Sequence, residues 1–466
     1  MTASTSTRWQ HDPAEAWLAW QPSADDPWDL FKVLRLHRRA GLGATWAQVQ
    51  RDVAAGHETA LAEMLSGAPT SPDGRPAETI DRFCEAMLTS YDMSGAALDS
   101  IRQAWFYRLV FSAWPLRERM ILAWHSHYAT SETKVSGKQI LLAEHLKQRT
   151  LWRSRASELQ LAMLGDEAML NWLDGTANRR AAPNENLARE FLELFALGIG
   201  NYSERDVRET ARALTGWQRV YNLPSDIEFV AALQDTGEKT ILGQTGPWLV
   251  KDVVRIACAQ PAAARRVAWR LWRTFVSDID EPSAELVEGL AATMRVDGDV
   301  DVARGLETLI RSRLFHSDAY VGRRILSPVE WLASVSRCGE TFPPHPDLAE
   351  VVAAANRIGQ RLFRPPTVAG WPGGMEWLGG TALVARQNFA AWLTSAESSV
   401  PIEHWQRLAT RYGHAGGDAE LDFWTSLFWG RPADAAAKQK LSKHLDAREP
   451  TALVRALLLS PAAYLA

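Results

Sequence analysis

Apolar residues recur at three- and four-residue spacing along most of the chain, the period of a helix with one buried face. The pattern predicts helices at 29–39, 45–55, 97–129, 137–148, 158–165, 186–197 and 204–214. It resumes at 251–259, 262–276, 283–294, 302–314, 328–337, 347–358, 383–396, 403–412, 420–428 and 434–445. Within 97–129, Trp114-Pro115 marks a fresh start, because proline is well tolerated in a first helical turn. Ser203 with Asp206 forms a capping-box-like start, and Gly216 is a plausible stop. At 222–245 the character changes: Ile227–Leu233 and Lys239–Leu242 are short β-prone runs around a turn at Asp235-Thr-Gly237. The fold class expected is all-α, a multi-helix assembly with one small β-hairpin insertion near 225–243. A polar, Trp-dotted arm at 1–25 precedes a helical core at 26–400, on which C-terminal helices at 401–466 pack. The run from Leu309 to Tyr320 echoes the run from Leu453 to Tyr464, which suggests two helix–turn units that pack alike.

Composition narrows the function classes. Lysine and arginine number 51 against 55 acidic residues, a net charge of −4, so no basic excess is present for a general nucleic-acid binder. The longest apolar runs, such as 229–233, fall far short of the ~20 residues of a membrane-spanning helix. Cys84, Cys258 and Cys338 are too few and too far apart for a disulfide framework or a cysteine-rich zinc site. The first residues show neither the charged nor the apolar region of a signal peptide, and on that ground the expected location is cytoplasmic. Tryptophan is in surplus, 21 against 14 phenylalanines and 8 tyrosines, which points either to a Trp-heavy core or to exposed rings.

Two polar clusters could carry chemistry. On the 186–197 helix, Leu187, Phe191, Leu194 and Phe195 form an apolar stripe flanked by Asn186, Glu190 and Glu193. Helix-borne carboxylates of this kind serve as metal ligands or acid/base pairs, whereas the structural alternative is a solvated flank with Arg189 pairing the acids and Asn184 or Asn186 acting as a cap. The second cluster is Trp124-His-Ser-His-Tyr128: on a helix His127 falls on the apolar face and His125 opposite it, so the two do not chelate one metal together. His127 facing Glu190, with or without Glu193, would supply N/O ligands with an open position for zinc, iron or manganese, while the plain alternative is a buried, hydrogen-bonded histidine. Arg117-Glu-Arg119 is either an anion site or a solvated face. The stiff Pro365–Gly374 segment around Trp371 either lines a pocket or plugs one.

Several stretches together resemble the bacterial family of uncharacterised domains DUF-1800. They are Arg39-Ala-Gly-Leu-Gly43, Pro115-Leu-Arg-Glu-Arg-Met120, the run from Trp124 to Thr130, Pro183-Asn-Glu-Asn-Leu-Ala-Arg-Glu190 continuing to Tyr202, Asp206 to Trp217, Gly237-Glu-Lys239 to Gly243, and Pro366 to Gly374. The resemblance spans about 29–390 and implies a mainly helical protein without an agreed activity. It also implies exported relatives, which keep a periplasmic location open, and a sulfatase-like partner protein. The family's His-Asp before the Gly-Glu-Lys turn reads Gln234-Asp235 here.

The functional expectation is an enzyme with a buried His/Glu/Arg/Asn site, a hydrolase or an oxidoreductase, with a divalent metal as one version. His127, Glu190, Arg189, Asn186 and Arg117 would act on a polar substrate, and His125, His127, Glu190 and Glu193 would supply metal ligands. Trp124, Tyr128, Asn184, Glu185, Trp217 and Trp371 would wall the pocket. The alternative is a non-catalytic scaffold whose polar cluster fixes helix register.

Overall fold

Helix starts follow the local chemistry of the chain. Thr45 with Gln48, Ser203 with Asp206 and Ser327 with Glu330 each form a reciprocal capping box in which side chain and backbone satisfy each other's end groups. Trp114-Pro115 divides the long apolar stretch into helices Leu98–Phe111 and Pro115–His127. In the computed structural model the described residues are 9, 12–94, 98–219, 227–342, 347–445, 449 and 451–466. They form 23 α-helices with only two-stranded antiparallel ribbons, an all-α protein. Helices His57–Ser66 and Ala77–Ser94 go beyond the sequence expectation, although buried Ile80, Cys84 and Leu88 carry helical spacing in the second.

The expected hairpin is corrected in its pairing. Ile227–Phe229 pairs with Trp217–Arg219, and Lys239–Ile241 with Gln244–Gly246, not with each other. Leu242 and Gly243 both have positive φ, the backbone of a two-residue turn that closes a strand on the residues just after it. Residues 225 and 226 of that expected insertion lie outside the described residues. A third ribbon joins Arg295–Val296 to Asp299–Val300.

One apolar core runs from Trp9 to Ala466 and includes residues on both sides of position 401. Trp105, Trp124, Trp272, Trp331, Trp405 and Trp424 are among its largest fully buried side chains, so much of the tryptophan surplus is core. The N-terminal segment is tied in: Trp20 N–H donates to the Arg311 carbonyl, and Ala16 accepts from Leu314 N–H. The internal echo is structural too. Each copy closes a helix with a short 3-10 turn ending in a buried tyrosine, Tyr320 against Trp272 at 5.1 Å and Tyr464 against Trp331 at 5.7 Å.

Buried arginines hold the helices together at their C-terminal ends, where carbonyls lack intrahelical partners and the helix dipole is negative. Arg337 donates to the carbonyls of Gly43, Leu109, Val110 and Ser112. Arg119 donates to those of Arg38, Gly41 and Thr274, and Arg39 to those of Phe275 and Phe315. These bonds bring the C-terminal ends of helices Leu30–Arg39 and Pro261–Phe275 to one side of the Pro115–His127 helix. No helix among the described residues is long and apolar enough to cross a membrane.

Candidate functional site

A cleft of about 340 Å³ opens where four segments meet. The Pro115–His127 helix contributes Arg119, Ser126 and His127, and the Pro261–Phe275 helix contributes Arg266, Trp269, Arg270 and Arg273. The segment before and into helix Pro328–Cys338 adds Arg324 and Glu330, and the loop at 369–377 adds Trp371 and Trp377. Five guanidinium groups thus face two carboxylates, Asp278 and Glu330.

The helix period explains the arginine wall. Residues 266, 270 and 273 stand at i, i+4 and i+7, one face of a helix. Trp269 holds them together, its ring centroid 5.2 Å from Arg266, 5.9 Å from Arg270 and 5.5 Å from Arg273. Arg273 is paired to Glu281 at 3.2 Å. Arg266 and Arg270 have no carboxylate at ion-pair distance among the described residues. Arg266 instead donates twice to the Leu194 carbonyl, at 2.9 and 3.0 Å. Arg270 donates to His127 Nδ1 at 3.0 Å. Burial, then repulsion from Arg266 and Arg273, lowers the Arg270 guanidinium to about 9.

A π-helical turn makes this arrangement possible. Helix Asn186–Glu190 widens at Phe191–Ala196, so that Leu197 N–H bonds the Leu192 carbonyl five residues back. The carbonyls of Leu194 and Phe195 are then available to side chains: Arg266 takes the first, while His127 Nε2 and Gln160 approach the second at 3.3 and 3.4 Å. A guanidinium can only donate, so His127 Nδ1 accepts and its proton stays on Nε2. Burial, then Arg270 and Arg266, holds this imidazole well below the ordinary histidine range.

The cleft floor is an ion cluster. Glu330 accepts from Arg324 at 2.7 and 2.8 Å, with Arg119 at 3.4 Å and Ser327 N–H at 2.9 Å. Burial alone would raise its carboxyl, but Arg119 and Arg324 outweigh that and hold it down to about 2. Asp278 differs: its two oxygens accept N–H groups of Ile325 at 2.9 Å and Gly374 at 3.0 Å, and no arginine hydrogen-bonds it. Burial raises its carboxyl, partly offset by Arg324. The loop that supplies Trp371 is fitted closely. A Cβ at Gly370 would stand 2.1 Å from the Ser126 carbonyl oxygen, and one at Gly374 would stand 2.9 Å from that of Asp278. Of the two expectations for this loop, it lines a pocket.

The expected site residues are scattered. His127 and Trp371 line the cleft. Glu190 and Glu193 are half-buried neighbours, yet no hydrogen bond or ion pair joins either to His127; burial, then Glu193, raises the Glu190 carboxyl, and Tyr202 donates to Glu193 at 2.6 Å. His125 points away, accepting Phe363 N–H at 2.9 Å among Trp105, Phe363 and Trp371, and burial takes its imidazole down to about 3. Among the described residues no three His, Cys, Asp or Glu side chains come together to hold a metal ion. The set of His125, His127, Glu190 and Glu193 is therefore not assembled, because both His127 nitrogens are engaged and two guanidiniums stand beside it.

The other candidates have partners within the fold. Arg117 pairs with Asp81 and lies over Trp114, on the far side of its helix from Ser126. Arg189 bridges Glu185 and Glu204 near the surface. The Asn184 side chain accepts Asn186 N–H, an Asx-type start to the helix. Trp124 donates to the Trp152 carbonyl and Tyr128 is core. Trp217 packs on Phe229 in its ribbon. The Gly-Glu-Lys turn is closed on itself. Lys239 is buried and donates to the carbonyls of Asp235 and Gly237, so Gln234 borders that turn and not the cleft.

Residues 35–465 match the family described as "Protein of unknown function (DUF1800)". The chain belongs to the DUF1800 family. No curated protein and no solved structure matches it. Within this DUF1800 chain the sequence motifs divide by task. The Trp124–Thr130 and Pro366–Gly374 stretches reach the cleft, whereas Pro183–Glu190 mainly frames the helix that turns toward it. Sequence reasoning missed Arg266, Arg270, Arg273, Arg324 and Asp278. A signal for the first three was present, three arginines on one face of a predicted helix around a tryptophan.

Proposed function

We propose that the cleft binds the oxyanion of a small substrate, a phosphate, sulfate or carboxylate, and that the protein is an enzyme with Asp278 as its acid–base group. The observation that carries this reading is the state of the arginines. Among the described residues Arg266 and Arg270 face the cleft without a carboxylate partner, and the buried Nε of Arg270 and the Nε and Nη1 of Arg324 find no hydrogen-bond partner. Charged donors left unpaired in this way are costly, and a forked guanidinium suits two oxygens of one anion. His127 is a positioning residue here, holding Arg270 through Nδ1. Asp278 is the one cleft carboxylate free of arginine hydrogen bonds, and its raised carboxyl suits proton transfer near neutrality better than Glu330 does.

Isothermal titration with inorganic phosphate tests the reading. Wild-type protein should bind at millimolar concentration or tighter, and more weakly at high salt. Arg270→Met should weaken binding about 10- to 100-fold, the worth of one charge-assisted bond pair, while Arg189→Met should leave it unchanged. Absent binding, or Arg270→Met binding like wild type, overturns the proposal.

A second reading, a scaffold for a partner such as the sulfatase-like protein, is favoured by Ile199. That side chain is 81% exposed, on a loop fixed by Asn201 donation to the carbonyls of Leu197, Gly198 and Ile199. Retention of the candidate partner by wild type and its loss in Ile199→Asp would support it, and no retention would remove it.

A further inference from the structure

We infer that the ligand of the cleft is a hydroxylated organic oxyanion, one whose carbon skeleton carries an O–H group beside the anionic group, and that Asp278 receives that hydroxyl. This rests on the oxyanion reading above and adds to it the chemistry of the rest of the ligand.

Among the described residues Asp278 is held by backbone alone. It follows the Pro261–Phe275 helix, at a seam where that helix, the strand-like 324–326 segment and the 369–377 loop converge. Each carboxylate oxygen accepts one backbone N–H, from Ile325 on one side and Gly374 on the other. A carboxylate oxygen accepts two bonds, so each keeps one lone-pair direction unused by these contacts. Arg273 and Arg324 line the same cleft but bond elsewhere, to Glu281 and Glu330. The fold thus sets a carboxylate among guanidiniums and keeps it out of their hydrogen bonds.

The backbone is shaped to keep it so. Gly374 has φ +60°, and a Cβ there would meet the Asp278 carbonyl oxygen at 2.9 Å, so glycine is what lets its N–H reach the side chain. A bare oxyanion would gain nothing from this carboxylate and would be repelled by it. A ligand that carries its own O–H donor near the anion satisfies both halves of the cleft, the guanidiniums with the anion and Asp278 with the hydroxyl. Rejection of an analogue that lacks the hydroxyl is then strong, because the site's own acceptor is left unpaired.

The test compares sn-glycerol 3-phosphate with n-propyl phosphate, equal in charge and chain length and different in hydroxyls, by isothermal titration of the whole chain. The expected result is glycerol phosphate binding at least tenfold tighter, the fold-change of one hydrogen bond to a charged acceptor. Asp278→Asn should bind n-propyl phosphate more tightly than wild type and lose most of the preference. Asp278→Ser, a second variant that keeps an acceptor for one backbone N–H, should lose it too if the first fails to fold. Equal wild-type affinities overturn this inference and leave the oxyanion reading standing. Binding of neither ester also overturns this inference, and the oxyanion reading falls with it only where inorganic phosphate fails to bind as well. A preference that survives in a folded Asp278 variant also overturns the assignment.

Discussion

Gly370→Ala should release the wall of the cleft, whereas Gly373→Ala, three residues on in the same loop, should disturb it far less. Both glycines have positive φ, +84° and +71°, and Gly373 combines its φ with a ψ of −173° in a region nearly confined to glycine, so a side chain costs on the order of 1–3 kcal/mol on its own. At Gly373 that is the whole cost, since the nearest atom to an added Cβ is Trp377 Nε1 at 3.9 Å. At Gly370 the Cβ would lie 2.1 Å from the Ser126 carbonyl oxygen and 2.5 Å from its Oγ. The carbonyl belongs to the last turn of the Pro115–His127 helix, which Arg119 anchors through three backbone carbonyls, so the loop must move and not the helix. Moving it strips the 9%-exposed Trp371 from its contacts, a loss on the order of 3–5 kcal/mol. Hydrogen exchange followed by mass spectrometry on a 365–378 peptide reads both effects. Gly373→Ala should exchange about 5- to 150-fold faster than wild type, the factor for about 1–3 kcal/mol, and Gly370→Ala about 1000-fold faster or more. Phosphate affinity should fall with Gly370→Ala only. Equal exchange in the two variants would refute the steric argument.

Two further outcomes concern pH. His125, His127, His145 and His316 are buried and neutral, held down first by burial and then by neighbouring arginines or Lys32, His125 and His316 to about 3. A lowered folded-state value means protonation favours the unfolded chain, so stability is full above pH 6.5 and lost as pH falls toward about 3. Tm should therefore decline already between pH 6.5 and 5, above the ordinary carboxylate range, and a flat profile in that window would refute the reading. Glu144 runs the other way: it is buried with Thr130 and Gln148 as hydrogen-bond partners and no arginine beside it, and burial, then Asp166, raises its carboxyl well above the usual range. Its contribution is present at low pH and lost as pH rises past the unfolded value. Glu144→Gln should thus raise Tm at pH 8 and leave it unchanged at pH 4; equal Tm values at pH 8 would sink that account.

Much of the fold is legible in the sequence because helix chemistry is local. Thr45, Ser203 and Trp114-Pro115 mark helix starts within a few residues of themselves, and the Leu309–Tyr320 echo needs only alignment of the chain with itself. The hairpin pairing was not legible from strand propensity alone. It turned on Leu242 adopting positive φ, unusual for a branched side chain. The site was legible in fragments: Trp371 and His127 were named, but the sequence left open whether the flank is a site or a solvated face, where Arg189 in fact pairs with Glu185 and Glu204 and Asn184 accepts the Asn186 N–H.

The sequence by itself determined the all-α class, the DUF1800 membership and the absence of a basic surplus, because periodicity, motifs and composition are properties of neighbouring residues or of simple counts. Only the tertiary structure decided which charges meet. Arg119, Arg270, Asp278, Arg324 and Trp371 are spread over some 250 positions, and every one of them belongs to a segment with its own local role. Buried arginines at helix ends and one π-turn at Phe191–Ala196 fix how those segments cross. Charge interactions act through space, not along the chain, so an unpaired guanidinium facing a cleft exists only once the helices are in place.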